Sequence, residues 1–359
     1  MSDSSVISLL SGFAVMIRPR DRLMDKFILF GDIGCHMNSK YNFKNFVEAL
    51  LNPSNFLDEI QRISNQTVGK ALFYQRYGEG DDIMKEDWDN LILLDACRYD
   101  VFKQVNDLNG DLEHRISKAS QSEEFCEEYF EGETFHDSVY VTANAYGAQV
   151  SENTFHDIKV TFGEDYHRGH SEGREPETVK EAAIEVIENY PNKRIIVHFM
   201  QPHGPYIGPK ADEFRTQLRG EGIEFAAWDC PDETKNRDCT IGNLMHAAQR
   251  GYISQDEFKE IYIENLKIVL DHVEELLTIL KGKTIVSSDH GELLGEGKVL
   301  VPRSYSHPKR TYINELRKVP WLIMNSENRR YITEDPPIGE ISATESEIGT
   351  QLEALGYKD

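Results

Sequence analysis

The stretch TIVSSDHGE at residues 284–292 is the most informative part of this sequence. Its first four residues form a short run typical of a buried strand, and Asp289 and His290 follow at the end of that strand. A divalent cation binds such a mixed set of carboxylate oxygen and imidazole nitrogen, and Gly291 lets the backbone turn closely. The alternative is that Asp289 caps a helix and His290 lies on the surface. The position at a strand end favours a metal site.

Four more short runs typical of buried strands occur along the chain, and helical patterns separate them. One apolar helical stripe lies between residues 179 and 187, and a longer one lies between residues 262 and 280. Ser254 and Glu257 have the spacing of a capping box before the longer helix. This alternation predicts the α/β class, with a mostly parallel central sheet and helices on both faces. The four runs are residues 91–94, 139–142, 195–200 and 321–324.

The composition limits the possible partners. Of 359 residues, 39% are hydrophobic, which is enough for a folded core and excludes a wholly disordered chain. Acidic residues number 62 and basic residues 39, which gives a net charge of −23. A nucleic-acid backbone requires a basic face, so we expect no nucleic-acid partner. A surplus of this size is typical of an acidic, halophile-like surface.

The cysteines and the apolar segments bear on location. Five cysteines with no CxxC pair argue against a disulfide framework or a structural zinc site, and they favour a reducing, cytoplasmic compartment. The apolar run 6–17 is shorter than the roughly 20 residues of a membrane span, so no transmembrane segment is predicted. It is interpreted as a packed helix. Weak membrane contact is the alternative, because Arg18 and Arg20 follow the run.

Polar residues follow two other predicted strands. In a mostly parallel sheet, ligands bind at the carboxyl ends of the strands, so these residues are candidates. Asp95 directly follows the run 91–94, although an Asp at this position is often only a helix cap. His198 falls within its strand and is typical of a core histidine. His203 follows in a turn that contains Pro and Gly, which makes it the better functional candidate.

A loop histidine and a group of serines complete the set of candidates. His307 precedes the last predicted strand, where a solvated histidine is the ordinary interpretation. Ser117, Ser120 and Ser122 precede a predicted helix, where serines usually serve as N-caps. Their alternative role is that of a nucleophile, a hydroxyl held on a metal ion at a helix N-terminus.

Taken in this order, these segments resemble the sulfatase-like branch of the alkaline phosphatase superfamily. The resemblance covers roughly residues 88–357, except for the polar segment 207–250. It implies an alkaline-phosphatase-like fold and a metal-dependent enzyme. The matching stretches are LILLDACRYD, HFMQPHGPY, YIENLKIVLDHVEELL, TIVSSDHGELLGE, SHP leading to LRKVPWLIM, and the ending QLEALGYKD.

The patterning along the chain, together with the resemblance, predicts a domain organisation. We expect a helical N-terminal extension over residues 1–85 and a sulfatase-like α/β catalytic domain over residues 86–330. Residues 207–250 are interpreted as a polar insertion near the site, and residues 331–359 as a tail that packs on the domain.

Roles carried over from the family fall on six residues of this sequence. His203 matches the position that contacts the transferred phosphate or sulfate, and His307 matches a position at the substrate oxygens or leaving group. The implied metal ligands are Asp95, Asp289 and His290, and the implied substrate-binding residues are His203, His307 and Arg98.

The nucleophile position departs from the sulfatase pattern. Sulfatases use a formylglycine made within a CxPSR-type sequence, and this chain has none. SQSEEF at residues 120–125 is more similar to the nucleophile segment of phosphoglycerol and phosphoethanolamine transferases, which ranks Ser120 first and Ser122 second. Ala96 stands where many sulfatases carry a second ligating Asp, which favours Mn, Mg or Zn over Ca. Both departures argue against sulfatase activity.

The sequence therefore predicts a metal-dependent hydrolase or transferase that acts on phosphate esters, with sulfate esters as the less favoured class, through a serine nucleophile. The expected substrate is a small-molecule, glycan or lipid-head-group ester. Two alternatives stay open. One is sulfate-ester hydrolysis by an unmodified serine, and the other is a non-catalytic member that binds an anionic glycan or lipid head group.

Overall fold

The structure is a computed structural model, and it describes residues 53–162, 173–223, 225, 243–298 and 300–338. The chain divides into two compact units, Met1–Phe56 and Leu57–Asp359. Nearly all described residues belong to the second unit, to which the following account applies. The apolar run 6–17 lies outside the described residues, as do Cys35, Cys230 and Cys239.

Seven strands and nine α-helices form the described part of the chain. The strands are β1 (Asn90–Leu94), β2 (Asp111–Ile116), β3 (Phe135–Thr142), β4 (Phe155–Val160), β5 (Arg194–Phe199), β6 (Thr284–Ser288) and β7 (Lys318–Met324). The helices are α1 (Pro53–Ser64), α2 (Lys70–Tyr77), α3 (Tyr99–Val105), α4 (Ser122–Tyr129), α5 (Pro176–Asn189), α6 (Pro209–Gly220), α7 (Leu244–Gln249), α8 (Gln255–Leu277) and α9 (Asn314–Arg317). A π-helical turn, Asn65–Gly69, joins α1 to α2.

The strands form one sheet in the order β2-β7-β6-β1-β5-β3-β4. β1 pairs in parallel with β5 and β6, and β3 pairs in parallel with β4 and β5. β7 is antiparallel to both of its neighbours, β2 and β6, so it alone runs against the other strands. The prediction of an α/β fold with a mostly parallel central sheet surrounded by helices is confirmed.

All five predicted strands are present, and β2 and β4 are additional. These two strands lie at the edges of the sheet. β2 is largely exposed, and polar residues interrupt the apolar pattern of β4. An edge strand of a mixed sheet does not need the continuous apolar run that marks a strand buried on both faces, and this explains why the sequence pattern missed them.

The central strands bring the predicted site residues to one edge of the sheet. Every residue of β1 and β6 is buried, as expected for strands covered on both faces. Leu94 pairs with Ser288 at the carboxyl ends of these two strands. Asp95 and Asp289 are the next residues, so the fold places them side by side.

Two segments outside the central sheet contribute helices and edge contacts. The described parts of the polar segment 207–250 contain α6 and α7, although the sequence showed no strong helical period there. Residues 331–338 run beside the β3–β4 edge of the sheet. Three of their backbone amides donate hydrogen bonds to backbone carbonyls: Thr333 to Asn192, Asp335 to His136 and Ile338 to His156.

The helices of the described ranges are either too short or too polar to cross a lipid bilayer.

The capping box predicted from the sequence starts the longest helix, α8. The Ser254 hydroxyl accepts from the Glu257 amide at 3.3 Å, and the Glu257 carboxylate accepts from the Ser254 amide at 2.7 Å. Both bonds satisfy amides that the first helical turn leaves without intrahelical partners.

We predict that Ser254→Ala lowers the free energy of unfolding by about 1 kcal/mol, because it removes the cap of α8. Chemical denaturation measures this change. Ser254→Asp, which keeps an acceptor at the same position, serves as the matched control and should be near wild type. Equal stability of the Ala variant and the wild type would contradict the prediction.

Candidate active site

Two buried carboxylates form the centre of the site. Asp95 and Asp289 are both fully buried at the ends of β1 and β6. The Asp289 Oδ1 accepts from the backbone amides of Ala96 at 3.0 Å and His290 at 2.8 Å. The Asp95 Oδ2 accepts from the Asn144 side-chain amide at 2.5 Å. These donors partly offset the cost of burying two like charges together.

The backbone after each carboxylate is closely constrained. Ala96 has a φ of 58°, in the left-handed region that residues with a Cβ rarely occupy, and this turns its amide toward Asp289. A Cβ at Gly291 would lie 2.1 Å from the Glu315 carbonyl oxygen, so only glycine fits where the chain leaves the site. The predicted close turn at Gly291 thus corresponds to a tight approach of two backbone segments.

Ser122 places its hydroxyl between the carboxylates. It is the first residue of α4 and is fully buried. Its Oγ donates to Asp289 Oδ2 at 2.9 Å and lies 3.3 Å from Asp95 Oδ2 and 3.1 Å from His290 Nε2. The N-cap residue of the helix is Gln121, the residue before it. The Ser122 hydroxyl therefore belongs to the carboxylate cluster.

The His290 ring completes the cluster. Its Nδ1 lies 2.7 Å from the Gly291 carbonyl oxygen, an acceptor, so Nδ1 carries the proton and Nε2 presents a lone pair. That Nε2 is 3.3 Å from Asp289 Oδ2 and 3.7 Å from Asp95 Oδ1. A lone pair that faces two carboxylates requires a cation or a shared proton between them.

The pKa values of the two carboxyls shift in opposite directions. Burial, and then the charge of Asp289, raise the pKa of Asp95 well above its ordinary value. Burial also acts to raise the pKa of Asp289, but neighbouring groups, among them the Ala96 amide that donates to it, lower this pKa overall. Burial lowers the pKa of His290. Such opposed shifts are typical of adjacent acids that share one site.

The donor set fits a divalent cation. Asp95 Oδ1 is buried, and the described part of the chain provides no hydrogen-bond partner for it. An unpaired carboxylate oxygen in the interior costs several kcal/mol unless a cation or proton satisfies it. Two carboxylates and an imidazole with a free lone pair are the ligands that Zn²⁺ and Mn²⁺ prefer, and Mg²⁺ also accepts the oxygens.

A second cluster, formed by His203, Glu292 and His307, adjoins the first. The possible ligand atoms of these three residues lie within 4.8 Å of one another, and all three side chains are buried. His307 Nδ1 lies 3.0 Å from a Glu292 oxygen. The His307 ring centroid is 4.6 Å from that of His290 and 5.1 Å from that of His203. This cluster has the chemistry to hold a second cation or to contact an anionic group.

Burial also shifts the pKa values of the second cluster. It raises the pKa of Glu292 to about 7 and lowers the pKa of His307 to about 4. The pKa of His203 falls to about 3, because burial and the neighbouring His307 both oppose its charged form. The two histidines are therefore neutral rings, and their bonds to Glu292 and to the Gly204 carbonyl place the one proton of each ring on Nδ1 and leave a lone pair on Nε2.

Asn265 of α8 fixes the turn that carries His203. Its side-chain amide donates to the carbonyls of Pro202 and His203, both at 3.0 Å, and to that of Pro205 at 3.3 Å. Its Oδ1 accepts from the Ile207 amide at 3.1 Å. One buried side chain thus satisfies four backbone groups of a turn that would otherwise leave them unpaired.

Ser120 lies outside the carboxylate cluster. Its Oγ donates to Glu124 at 2.9 Å and to the Pro308 carbonyl at 3.0 Å, and Glu124 pairs with Arg317 at 2.7 Å. The structure thus brings Ser122 to the carboxylates and leaves Ser120 in a structural network. The sequence ranked Ser120 first and Ser122 second as the nucleophile, and Ser122 is the one that lies beside the carboxylates. Ser117, the third, donates to the backbone carbonyl of Asp289 at 2.5 Å.

Arg98 is engaged by carboxylates other than those of the cluster. Its guanidinium donates to Asp100 at 2.7 and 2.9 Å and to Glu296, and only 7% of the residue is exposed. These bonds link the start of α3 to the loop after Glu292. The structure shows no contact of this side chain with Asp95, so the substrate-binding role implied for Arg98 stays a prediction.

Four residues of the site were absent from the sequence-based set. Glu292 is the last residue of the motif at 284–292, and Asn144 follows a predicted strand by two positions, so a search of all strand ends finds both. His198 was interpreted as a core histidine. Asn265 lies within a helix far along the chain, where its pattern gives no such signal.

Comparison with known proteins finds similarity to solved structures only. No protein-family model matches the chain, and no curated protein matches it significantly. The C-terminal periplasmic domain of phosphoethanolamine transferase EptC from Campylobacter jejuni is 13% identical with a TM-score of 0.41, over 66% of this chain and 78% of that one. BT1596, a 2-O GAG sulfatase, is 10% identical with a TM-score of 0.37, over 75% and 70%.

A third structure is the C-terminal periplasmic domain of EcEptC from Escherichia coli in complex with Zn, at 11% identity and a TM-score of 0.31 over 69% of this chain and 76% of that one. Phosphoethanolamine transferases and sulfatases are the groups that the sequence resembles. At these identities and TM-scores the comparison carries no argument about this chain, and its chemistry has to be argued from its own side chains.

We predict that Asn265→Ala lowers the free energy of unfolding by about 3 kcal/mol, because it leaves four buried backbone groups of the 202–207 turn without partners. Denaturant unfolding measures this loss, and amide hydrogen exchange at Ile207 should become faster. Asn153→Ala changes an exposed asparagine and should leave stability within about 0.5 kcal/mol of wild type. Equal effects of the two substitutions would show that the turn does not depend on Asn265.

Proposed function

We propose that this chain is a metal-dependent enzyme that transfers or hydrolyses phosphate esters, with Ser122 as its nucleophile. The observation that carries the proposal is the position of the Ser122 hydroxyl, within 3.3 Å of two buried carboxylates and an imidazole lone pair. Gln121 rather than Ser122 is the N-cap residue of this helix, and the Ser122 hydroxyl bonds to side chains of the cluster.

Asp95, Asp289 and His290 would hold the divalent ion, with Zn, Mn or Mg favoured over Ca by the donor set and by Ala96 at the neighbouring position. Such an ion lowers the pKa of a hydroxyl bound to it and neutralises charge on phosphoryl oxygens. Residues 86–330 would form the catalytic domain.

The covalent step is a displacement at phosphorus. Ser122 Oγ would give its proton to Asp95 Oδ2, which lies at 3.3 Å and belongs to the carboxyl with the raised pKa, and would form the bond to phosphorus. The bond from phosphorus to the ester oxygen would break, and that oxygen would take up the proton released by Ser122 and leave as an alcohol. Attack by water or by an acceptor alcohol then releases the phosphoryl group from Ser122, and this choice separates hydrolysis from transfer.

The second cluster would position the phosphoryl group. Glu292 accepts from His307 Nδ1 and so fixes the orientation of that ring, and the turn clamped by Asn265 fixes His203. With the Nδ1 protons directed at Glu292 and at the Gly204 carbonyl, both neutral rings present Nε2 lone pairs, which suit a second cation that would neutralise charge on phosphoryl oxygens. The substrate would be a small-molecule, glycan or lipid-head-group ester. A cytoplasmic location stays a prediction.

Ser122→Ala should reduce turnover of a phosphate ester by at least about a thousandfold and change stability little, because it removes the attacking atom. Ser120→Ala is the matched control. It should cost about 1 to 3 kcal/mol of stability, because it breaks the buried network of Glu124, and keep turnover within about tenfold of wild type. Steady-state kinetics and denaturant unfolding of the two variants separate a nucleophile from a structural serine.

The covalent intermediate gives an independent readout. Acid-quenched wild-type enzyme should carry phosphate on the peptide that contains Ser122, as detected by mass spectrometry. If Ser122→Ala retains turnover within about tenfold of wild type, equivalent to ~1.4 kcal/mol, the serine mechanism is wrong and water is the attacking group.

A panel of chromogenic esters tests the substrate class. We expect phosphomonoesters or phosphodiesters to be turned over faster than aryl sulfates, because the chain lacks the CxPSR-type sequence from which sulfatases make formylglycine. Faster reaction of the sulfates would reverse this ranking. Binding of phosphate without turnover of any ester, at saturating Zn²⁺ or Mn²⁺, would favour the non-catalytic alternative.

A further inference from the structure

We propose that His198 is an additional ligand of the divalent ion, together with Asp95, Asp289 and His290. This inference rests on the metal site proposed above and extends it. It concerns a residue whose place within a strand is otherwise typical of a core histidine.

The sheet holds His198 beside both carboxylates. His198 lies in β5, where it pairs with Leu93 of β1 on one side and with Thr142 of β3 on the other. The residue is fully buried. Its Nε2 is 3.6 Å from Asp289 Oδ2, beyond the range of a hydrogen bond, and has no hydrogen-bond partner among the described residues.

An unpaired nitrogen and an unpaired oxygen thus lie in the same small volume. Asp95 Oδ1 is the second buried atom without a partner. The possible ligand atoms of Asp95, His198 and Asp289 all lie within 4.8 Å of one another. Leaving both atoms unsatisfied in the interior is costly, and one cation bound by both removes the cost.

The opposite side of the ring supports the ligand role. His198 Nδ1 lies 2.8 Å from the hydroxyl of Tyr140, which is also buried. Histidines that bind metals usually hydrogen-bond through their other ring nitrogen, which fixes the tautomer and the ring plane. If Nδ1 donates to Tyr140, Nε2 presents its lone pair to the carboxylates. If Tyr140 donates instead, Nε2 carries a proton toward Asp289, but at a distance too long for a hydrogen bond.

A second imidazole changes the preference of the site among cations. Two carboxylates and two imidazoles favour Zn²⁺ or Mn²⁺, whereas Mg²⁺ and Ca²⁺ prefer sites with oxygen ligands only. The three sequence-predicted ligands suit Zn, Mn or Mg, and a fourth ligand at His198 reduces this choice to Zn or Mn.

Metal affinity, measured by competition with a chromophoric chelator, tests the role of His198. His198→Gln should weaken Zn²⁺ binding at this site by more than about a hundredfold, and Tyr140→Phe by about ten- to a hundredfold, the range for loss of a partner behind a ligand. The visible spectrum of the Co²⁺-loaded protein should change in His198→Gln, because the number of nitrogen ligands falls. Circular dichroism establishes that each variant is folded.

His156→Gln is the matched control. His156 is also a buried strand histidine, in β4, and its Nδ1 lies 2.8 Å from the Pro336 carbonyl oxygen. Its substitution should leave Zn²⁺ affinity unchanged. Wild-type affinity in either folded variant, His198→Gln or Tyr140→Phe, overturns the inference.

Asp289→Asn distinguishes this inference from the proposed function. If Asp289→Asn loses Zn²⁺ while His198→Gln retains it, His198 is not a ligand and the three-residue site stands. If the wild-type protein binds neither Zn²⁺ nor Mn²⁺, the metal site of the proposed function is wrong, and the role of His198 is wrong with it.

Discussion

The burial of two carboxylates beside each other is the constraint on which the rest of the site depends. Asp95 and Asp289 are both fully buried, and their carboxylate oxygens lie within 4.8 Å of each other. Two negative charges this close oppose each other's ionisation. Three hydrogen-bond donors direct the positive ends of their dipoles at these carboxylates. They are the backbone amides of Ala96 and His290 and the side-chain amide of Asn144. A divalent ion would complete this compensation. The Ser122 hydroxyl lies among the same buried charges and dipoles. Its position therefore matters for the proposed chemistry.

Parallel strand pairing creates this constraint. β1 and β6 are neighbours in register, so the residue after each strand reaches the same edge of the sheet. The chain then has to turn away at once, which explains the left-handed Ala96 and the close approach at Gly291. The left-handed Ala96 is held by the bond from its amide to Asp289, and Asn265 holds the turn of His203 from a distant helix.

Much of this arrangement could be predicted from the sequence, because buried strands and the polar residues after them form short local patterns. A strand buried on both faces needs a continuous apolar run, so the five central strands could be predicted. Polar residues that follow such runs mark the carboxyl edge, which identified Asp95, Asp289, His290 and His203. The edge strands β2 and β4 were missed because an edge strand tolerates polar residues. The halophile-like interpretation of the acidic surplus stays a prediction.

The sequence by itself determined the class of the fold and which polar residues lie at the carboxyl edge of its sheet, since both depend on short apolar runs and on the residues that end them. Tertiary structure alone decided which serine meets the carboxylates, because Ser120 and Ser122 have equivalent local patterns at the start of one helix. It also decided that Glu292 and His198 join the clusters and that Arg98 pairs with Asp100 and Glu296. The distance between two side chains depends on how elements far apart in the chain pack together. A local sequence pattern carries no information about that packing.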